Sequence, residues 1–161
     1  MRSTFPTLSA LRVLTLATTL ITIFAAFMGS YVRGNGAGLA CPDWPLCYGQ
    51  VVPEFDWWIF LEWFHRMVVG LVSLMVLAAT ALIWWKRMPE RLLSLATVGM
   101  LLAQAVMGGL TVILKTDPII VAVHQGMAFV FFACVVWLTV RVFSHSAAPV
   151  AGGEVVRPAA A

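Results

Sequence analysis

The chain has 161 residues, of which 61% are hydrophobic and 11% charged, with a formal net charge of +3. A water-soluble domain carries about 25% charged residues, so this composition excludes one and indicates a membrane protein. The length suits one compact bundle rather than two domains. The basic balance, with a pI near 9.1, does not point to nucleic acid, because the Lys and Arg residues stand at the edges of apolar runs, where they set orientation.

Four apolar runs, about 11–31, 57–85, 92–114 and 118–142, are candidate spans. Each meets or exceeds the roughly 20 residues that carry a helix across a bilayer. The expected fold is all-α: a polytopic bundle of four transmembrane helices over 1–143, with a long extracytoplasmic loop at 32–56. Residues 144–161, rich in Ala, Pro, Gly and Val, read as a disordered cytoplasmic tail. With the N-terminus inside, Arg2, Arg12, Lys86, Arg87, Arg91, Arg141 and Arg157 lie on the cytoplasmic side. Arg33 and Lys115 lie outside, and Arg66 falls within a span. This asymmetry predicts a multi-pass plasma-membrane protein with both termini cytoplasmic. A rival reading makes the first run a cleaved signal peptide, but the run is long for that and no clean small-x-small site follows it.

The loop after the first run contains Gly34, Gly36, Gly38, Pro42 and Pro45, which break a continuing helix. Its Trp44, Leu46 and cysteines argue against disorder, so it is expected to fold back as a cap over the outer end of the bundle. Cys41 and Cys47 are six positions apart on the oxidising side. They suit a small disulfide loop, a redox-active thiol pair or a metal-transfer pair, and a CxxC spacing would speak more strongly for the last two.

The second run opens with Trp57, Trp58 and Trp63, an aromatic belt. It also holds Glu62, His65 and Arg66. Glu62 shares a helix face with His65, one turn nearer the outside. Met88-Pro89-Glu90 is a short connection to the third run, where Gln104 and the pair Gly108-Gly109 sit. Small residues there permit close approach of a helix or of a macrocycle face, with packing the favoured role, and Gln104 has reach to a neighbouring helix. Lys115 to Pro118 forms a tight turn, with Pro118 suited to a first helical position. The fourth run holds His124 and Cys134, the latter read as a small core residue. His145 falls beyond it and is expected in solvent.

The two intramembrane histidines carry the functional reading. An ionisable side chain in hydrocarbon is a functional hypothesis by default. His65 lies about 12 Å and His124 about 9 Å into their spans at 1.5 Å per residue, and both spans run inward from the outer face. Two level imidazoles on helices of one bundle suit the axial positions of a haem iron. The plain alternative is two hydrogen-bonded core histidines. Zinc is a weaker option, since Glu62 and two histidines leave a tetrahedral site incomplete. Glu62 beside a haem edge is placed to accept a proton or to trap a cation formed on a haem substituent; alternatively, it faces interfacial water. Arg33 and Arg66 suit haem propionates, and Arg66 equally suits snorkelling to the interface.

These residues resemble a family. Arg33-Gly34, Gly38-Leu39-Ala40-Cys41-Pro42-Asp43-Trp44-Pro45-Leu46-Cys47, Gly49-Gln50, Glu62-Trp63-Phe64-His65-Arg66, Gln104, Gly108 to Val112, and Pro118 to Gln125 look like the haem A synthase, or cytochrome oxidase assembly, family. The resemblance covers about residues 10–143. It implies oxidation of the C8 methyl of haem O to the formyl group of haem A for cytochrome c oxidase. It implies His65 and His124 as iron ligands, Glu62 as the catalytic group and a Cys41–Cys47 disulfide. It also implies haem b as a prosthetic group, with haem O and haem A as substrate and product. Family enzymes have two four-helix halves, and this chain corresponds to one. The expectation is therefore a homo-oligomer in the lipid membrane, with haem O synthase and an electron donor as further partners. The alternative is a non-catalytic haem b electron-transfer or oxidase assembly protein.

Overall fold

A computed structural model describes residues 5–145, so the 146–161 part of the expected tail lies outside the described residues. Four α-helices follow in order: α1 Phe5–Gly34, α2 Trp57–Trp85, α3 Arg91–Ile113 and α4 Pro118–Ser144. All four are long and apolar enough to cross a membrane. Together they give the expected all-α, four-span architecture. The longest difference from the sequence reading is at α1, which begins at Phe5 and continues to Gly34.

Helix starts follow from local chemistry. The Asp56 carboxylate accepts the N–H groups of Trp58 and Ile59 and caps α2. Asp117 does the same for Ile119 and Ile120 at α4, with Pro118 in the first turn. Such caps satisfy donors that a helix start otherwise leaves open.

The helices alternate in direction and pack in ring order. α1 touches α2 and α4, and α3 touches α2 and α4, while the diagonal pairs α1/α3 and α2/α4 do not meet among the described residues. Two apolar clusters fill the half away from the long loop. Leu11, Ala79, Ile83, Leu138 and Val142 pack at the far end. Val72, Val76, Leu101, Phe131 and Val135 pack at mid-height. A third cluster of Val32, Ala37 and Leu61 joins the loop to the near end. The space between the second and third clusters is where the site lies.

Lipid offers no hydrophobic drive between helices, so polar stitches and close packing matter. Thr139 Oγ1 lies 2.9 Å from Thr19 Oγ1 and donates to the Thr15 carbonyl at 3.1 Å, tying α4 to α1. Buried Thr18, Thr22 and Thr97 return their hydroxyls to carbonyls one turn back. At the far end, His145 is not simply in solvent: it lies 2.7 Å from Glu90 Oε1, and Glu90 is buried. A carboxylate buried at a helix start draws the nearby ring and Arg141 (3.5 Å) onto itself.

Replacing Thr139 by Val removes the α1–α4 stitch at nearly constant volume. The expected loss is about 0.6–1.7 kcal/mol, the range for polar contacts between membrane helices. Unfolding in mixed micelles measures it.

Candidate functional site

A cavity of about 420 Å³ lies inside the bundle beneath the long loop. All four helices line it, and Gly38, Trp44 and Pro45 of the loop close its end. That volume is within the range of small-molecule and cofactor pockets. Among its lining residues are Glu62, His65, Arg66, Arg33 and His124. His65 stands on α2 and His124 on α4, the diagonal pair, so the imidazoles approach one cavity from opposite walls.

Each imidazole is backed by a glycine on the preceding helix. A Cβ on Gly29 of α1 would stand 2.9 Å from His65 Cε1, and one on Gly108 of α3 would stand 3.3 Å from His124 Cε1. The first distance forbids a side chain, and the second leaves almost no slack. The α1–α2 and α3–α4 hairpins thus present their histidines in the same way, a relation not evident as a sequence repeat. Gly29 was not a candidate from sequence. In the structure Gly29 and Gly108 each lie five residues before the end of their helix, an offset that the sequence runs ending at 31 and 114 do not show.

The surroundings of the two rings differ. One turn above His65, Glu62 is 4% exposed. Its Oε2 accepts the Cys41 N–H at 2.8 Å, and its Oε1 accepts from Arg66 Nη2. Arg66 Nη2 also donates to the Cys41 carbonyl at 3.1 Å. Arg66 Nη1 donates to the carbonyls of Asp43 (2.7 Å) and Leu46. One guanidinium therefore holds three loop carbonyls and the carboxylate together. Arg33, by contrast, is an exposed residue at the cavity margin. Beside His124 the partners are amides. Gln104 Nε2 donates to the His124 carbonyl at 3.1 Å, and Gln125 Nε2 donates to Ser30 Oγ of α1 at 3.1 Å.

The loop is a cap, as its composition suggested. Cys41 and Cys47 form a disulfide with Cα atoms 4.8 Å apart, and both are buried. Trp44 lies on α3: a Cβ on Gly109 would be 3.1 Å from its ring. The Gly108-Gly109 pair thus admits one imidazole and one indole, rather than a neighbouring helix backbone. Trp63 Nε1 donates to the Val51 carbonyl at 2.7 Å and pins the far side of the loop. Within the loop, Asp43 accepts the N–H groups of Gly49 (2.7 Å) and Tyr48 (2.6 Å). The Gly49 bond above all, with Tyr48 and the Arg66 charge, holds the Asp43 carboxyl below its ordinary value.

No three His, Cys, Asp or Glu side chains gather into a metal-holding cluster among the described residues. A closed zinc site needs four ligands, so the zinc option finds no support. Two imidazoles on opposite walls of one cavity are a different arrangement. Both Nδ1 atoms are buried without a hydrogen-bond partner.

The comparison with known proteins decides the family. A family model described as cytochrome oxidase assembly protein matches residues 12–57 and 54–161. The chain belongs to that family. Curated relatives named heme A synthase include one from Bacillus pumilus, 35% identical over 139 residues, covering 83% of this chain and 45% of the relative. The Bacillus licheniformis relative is 34% identical over 140 residues, with 83% and 46% covered. That from Alkalihalophilus pseudofirmus is 31% identical over 150 residues, with 86% and 50% covered. The chain spans about half the length of the curated relatives it matches. No solved structure matches it. Four apolar helices and this membership make the chain a multi-pass membrane protein of the family.

Two outcomes follow from the loop geometry. Replacing Arg66 by Leu removes four hydrogen bonds at once, and the Cys41 amide should then exchange with solvent at least about tenfold faster, as expected when a local structure opens more readily. Hydrogen exchange followed by mass spectrometry reads this. The second concerns acid. The Asp43 carboxyl is held low in the folded loop, so its bonds contribute above the unfolded value near 3.9 and are lost as pH falls through the depressed value. The Tyr48 and Gly49 amides should stay protected at pH 5 and lose protection only below about 4.

Proposed function

We propose that this chain is a four-helix haem A synthase unit that binds haem between His65 and His124. The observation that carries the reading is the pair of imidazoles on diagonal helices, facing one cavity, with a buried carboxylate one turn from one of them. The residues present fit a haem. Each imidazole has a glycine against it where a Cβ would collide or press, and each Nδ1 is buried without a hydrogen-bond partner. Haem bound there would supply the iron and its redox chemistry.

In this reading the chain's own residues bind, orient and move protons. His65 and His124 would hold the haem between them. Arg33, exposed at the cavity margin, is available to a propionate. Arg66 has four donors committed to the loop and Glu62, so its contribution to a propionate comes after those bonds or through Nε. Glu62 serves as proton acceptor or cation stabiliser during stepwise oxidation of the C8 methyl of haem O to the formyl of haem A. Its hydrogen bonds to the Cys41 N–H and to Arg66 hold it in one orientation beside the cavity. Residues 32–56 face outward, both termini lie in the cytoplasm, and the membrane is the plasma membrane, following the Lys and Arg asymmetry.

A homo-oligomer would place a second four-helix unit beside the first, one holding prosthetic haem b and the other haem O. An electron donor and haem O synthase complete the partners. The competing reading, a haem b protein without catalysis, needs both histidines and not Glu62.

Glu62 variants separate them. Glu62→Gln keeps an acceptor for the Cys41 N–H and so preserves the loop, yet removes the charge. Expected is retained haem with haem A formation reduced by about 100-fold or more, the scale of a lost general base. Haem extraction and chromatography after co-expression with haem O synthase measure it. Haem A at the normal rate would leave the non-catalytic reading standing.

A further inference from the structure

The cavity is closed on most sides. The disulfide loop covers one end, and the cluster around Val72, Leu101 and Phe131 seals the other. The α1–α4 wall is stitched by Gln125 to Ser30, and the α3–α4 wall by Gln104 to the His124 carbonyl. Between α2 and α3 no side-chain hydrogen bond is found at this height among the described residues, and these two helices pack least closely of the neighbouring pairs.

Phe64 of α2 packs on Phe24 of α1, and Gly70, six residues on, stands about 120° round the helix from it at 3.6 residues per turn, on the side of that gap. It lines the cavity and is also exposed on the outside of the bundle. A Cβ built on it meets nothing within 4 Å. A residue that borders a cavity, faces outward and has open space beside it marks an opening. Met67, one turn earlier, also lines the cavity and is 40% exposed. Gly70 stands about 20 Å along α2 from its start at 1.5 Å per residue. The opening therefore faces hydrocarbon rather than the aqueous surface, since the bilayer core is about 30 Å thick.

We infer that the α2–α3 gap at Gly70 is a lateral portal, a subsite through which a long aliphatic substituent on the bound tetrapyrrole extends into lipid. The inference rests on the haem reading above and deepens it by naming the part of the ligand this gap accepts. An apolar chain gains nothing from folding into a cavity already filled by a macrocycle. Running through the gap, it exchanges one apolar surrounding for another with no desolvation of polar groups. Met67 gives the rim a flexible, polarizable side chain that adapts to such a chain. Gly70 leaves the width.

The test uses the full chain, purified without haem in lipid nanodiscs and titrated optically. Haem B lacks a long chain and haem O carries an isoprenoid one. Gly70→Trp and Gly70→Leu fill the gap. Gly99→Trp, at an exposed α3 position with open space and no place on the cavity wall, is the control. Expected is an affinity for haem O at least about tenfold weaker in the Gly70 variants, the scale of overpacking a tight passage, with haem B little changed. Gly99→Trp should match the parent for both. Where Gly70→Trp also loses haem B, Gly70→Leu decides. Equal weakening of both haems in Gly70→Leu, or none, overturns the portal and leaves the haem reading intact. Failure of the parent chain to bind either haem overturns both.

Discussion

A guanidinium inside a membrane span is the constraint on which the site depends. Arg66 sits two turns into α2 with its side chain 12% exposed. An unpaired charge there is expensive, and a paired one still needs its remaining donors satisfied. The chain answers with the loop. Cys41, Asp43 and Leu46 turn their carbonyls down onto the guanidinium, and Glu62 supplies the counter-charge. The disulfide keeps those carbonyls in one short ring, so the loop arrives as a unit. Its landing places Trp44 over the cavity and leaves Glu62 beside His65.

The bundle supplies the other half of the geometry. Ring packing keeps α2 and α4 apart, which opens a space with an imidazole on each wall. Glycines on α1 and α3 set how far each ring stands back. The two walls are alike in frame and unlike in chemistry: a carboxylate and a guanidinium flank one ring, amides the other. In the proposed reading, that asymmetry would give one side of the ligand a proton-handling group and leave the other side for fixing. A chain of half the family length thus carries one complete two-histidine frame.

Much of this was readable from the sequence. Apolar runs of spanning length, with Pro118 at the start of the last, gave the spans, because bilayer thickness leaves few alternatives. His65, His124 and Glu62 stood out since ionisable residues in hydrocarbon are rare. The disulfide was open from spacing alone and came from family resemblance. Other features were hidden because they are tertiary. Gly29 reads as an ordinary small residue in a membrane helix until His65 is seen against it. Gly109 read as a helix contact, whereas it receives an indole from a loop remote in sequence. Arg66 read as a ligand for a propionate or as a snorkelling residue; nothing local tells that three loop carbonyls reach it. His145 read as solvated because Glu90, its partner, lies 55 positions away.

The central claim is that one tetrapyrrole iron is held between His65 and His124. The most direct measurement is the reduced-minus-oxidised absorption spectrum of the purified protein from haem-replete cells, with its haem extracted and identified. The account predicts a low-spin, b-type spectrum with two imidazole ligands, haem O or haem A in the extract, and loss of that spectrum in both His65→Ala and His124→Ala. A protein that folds and carries no haem would contradict it.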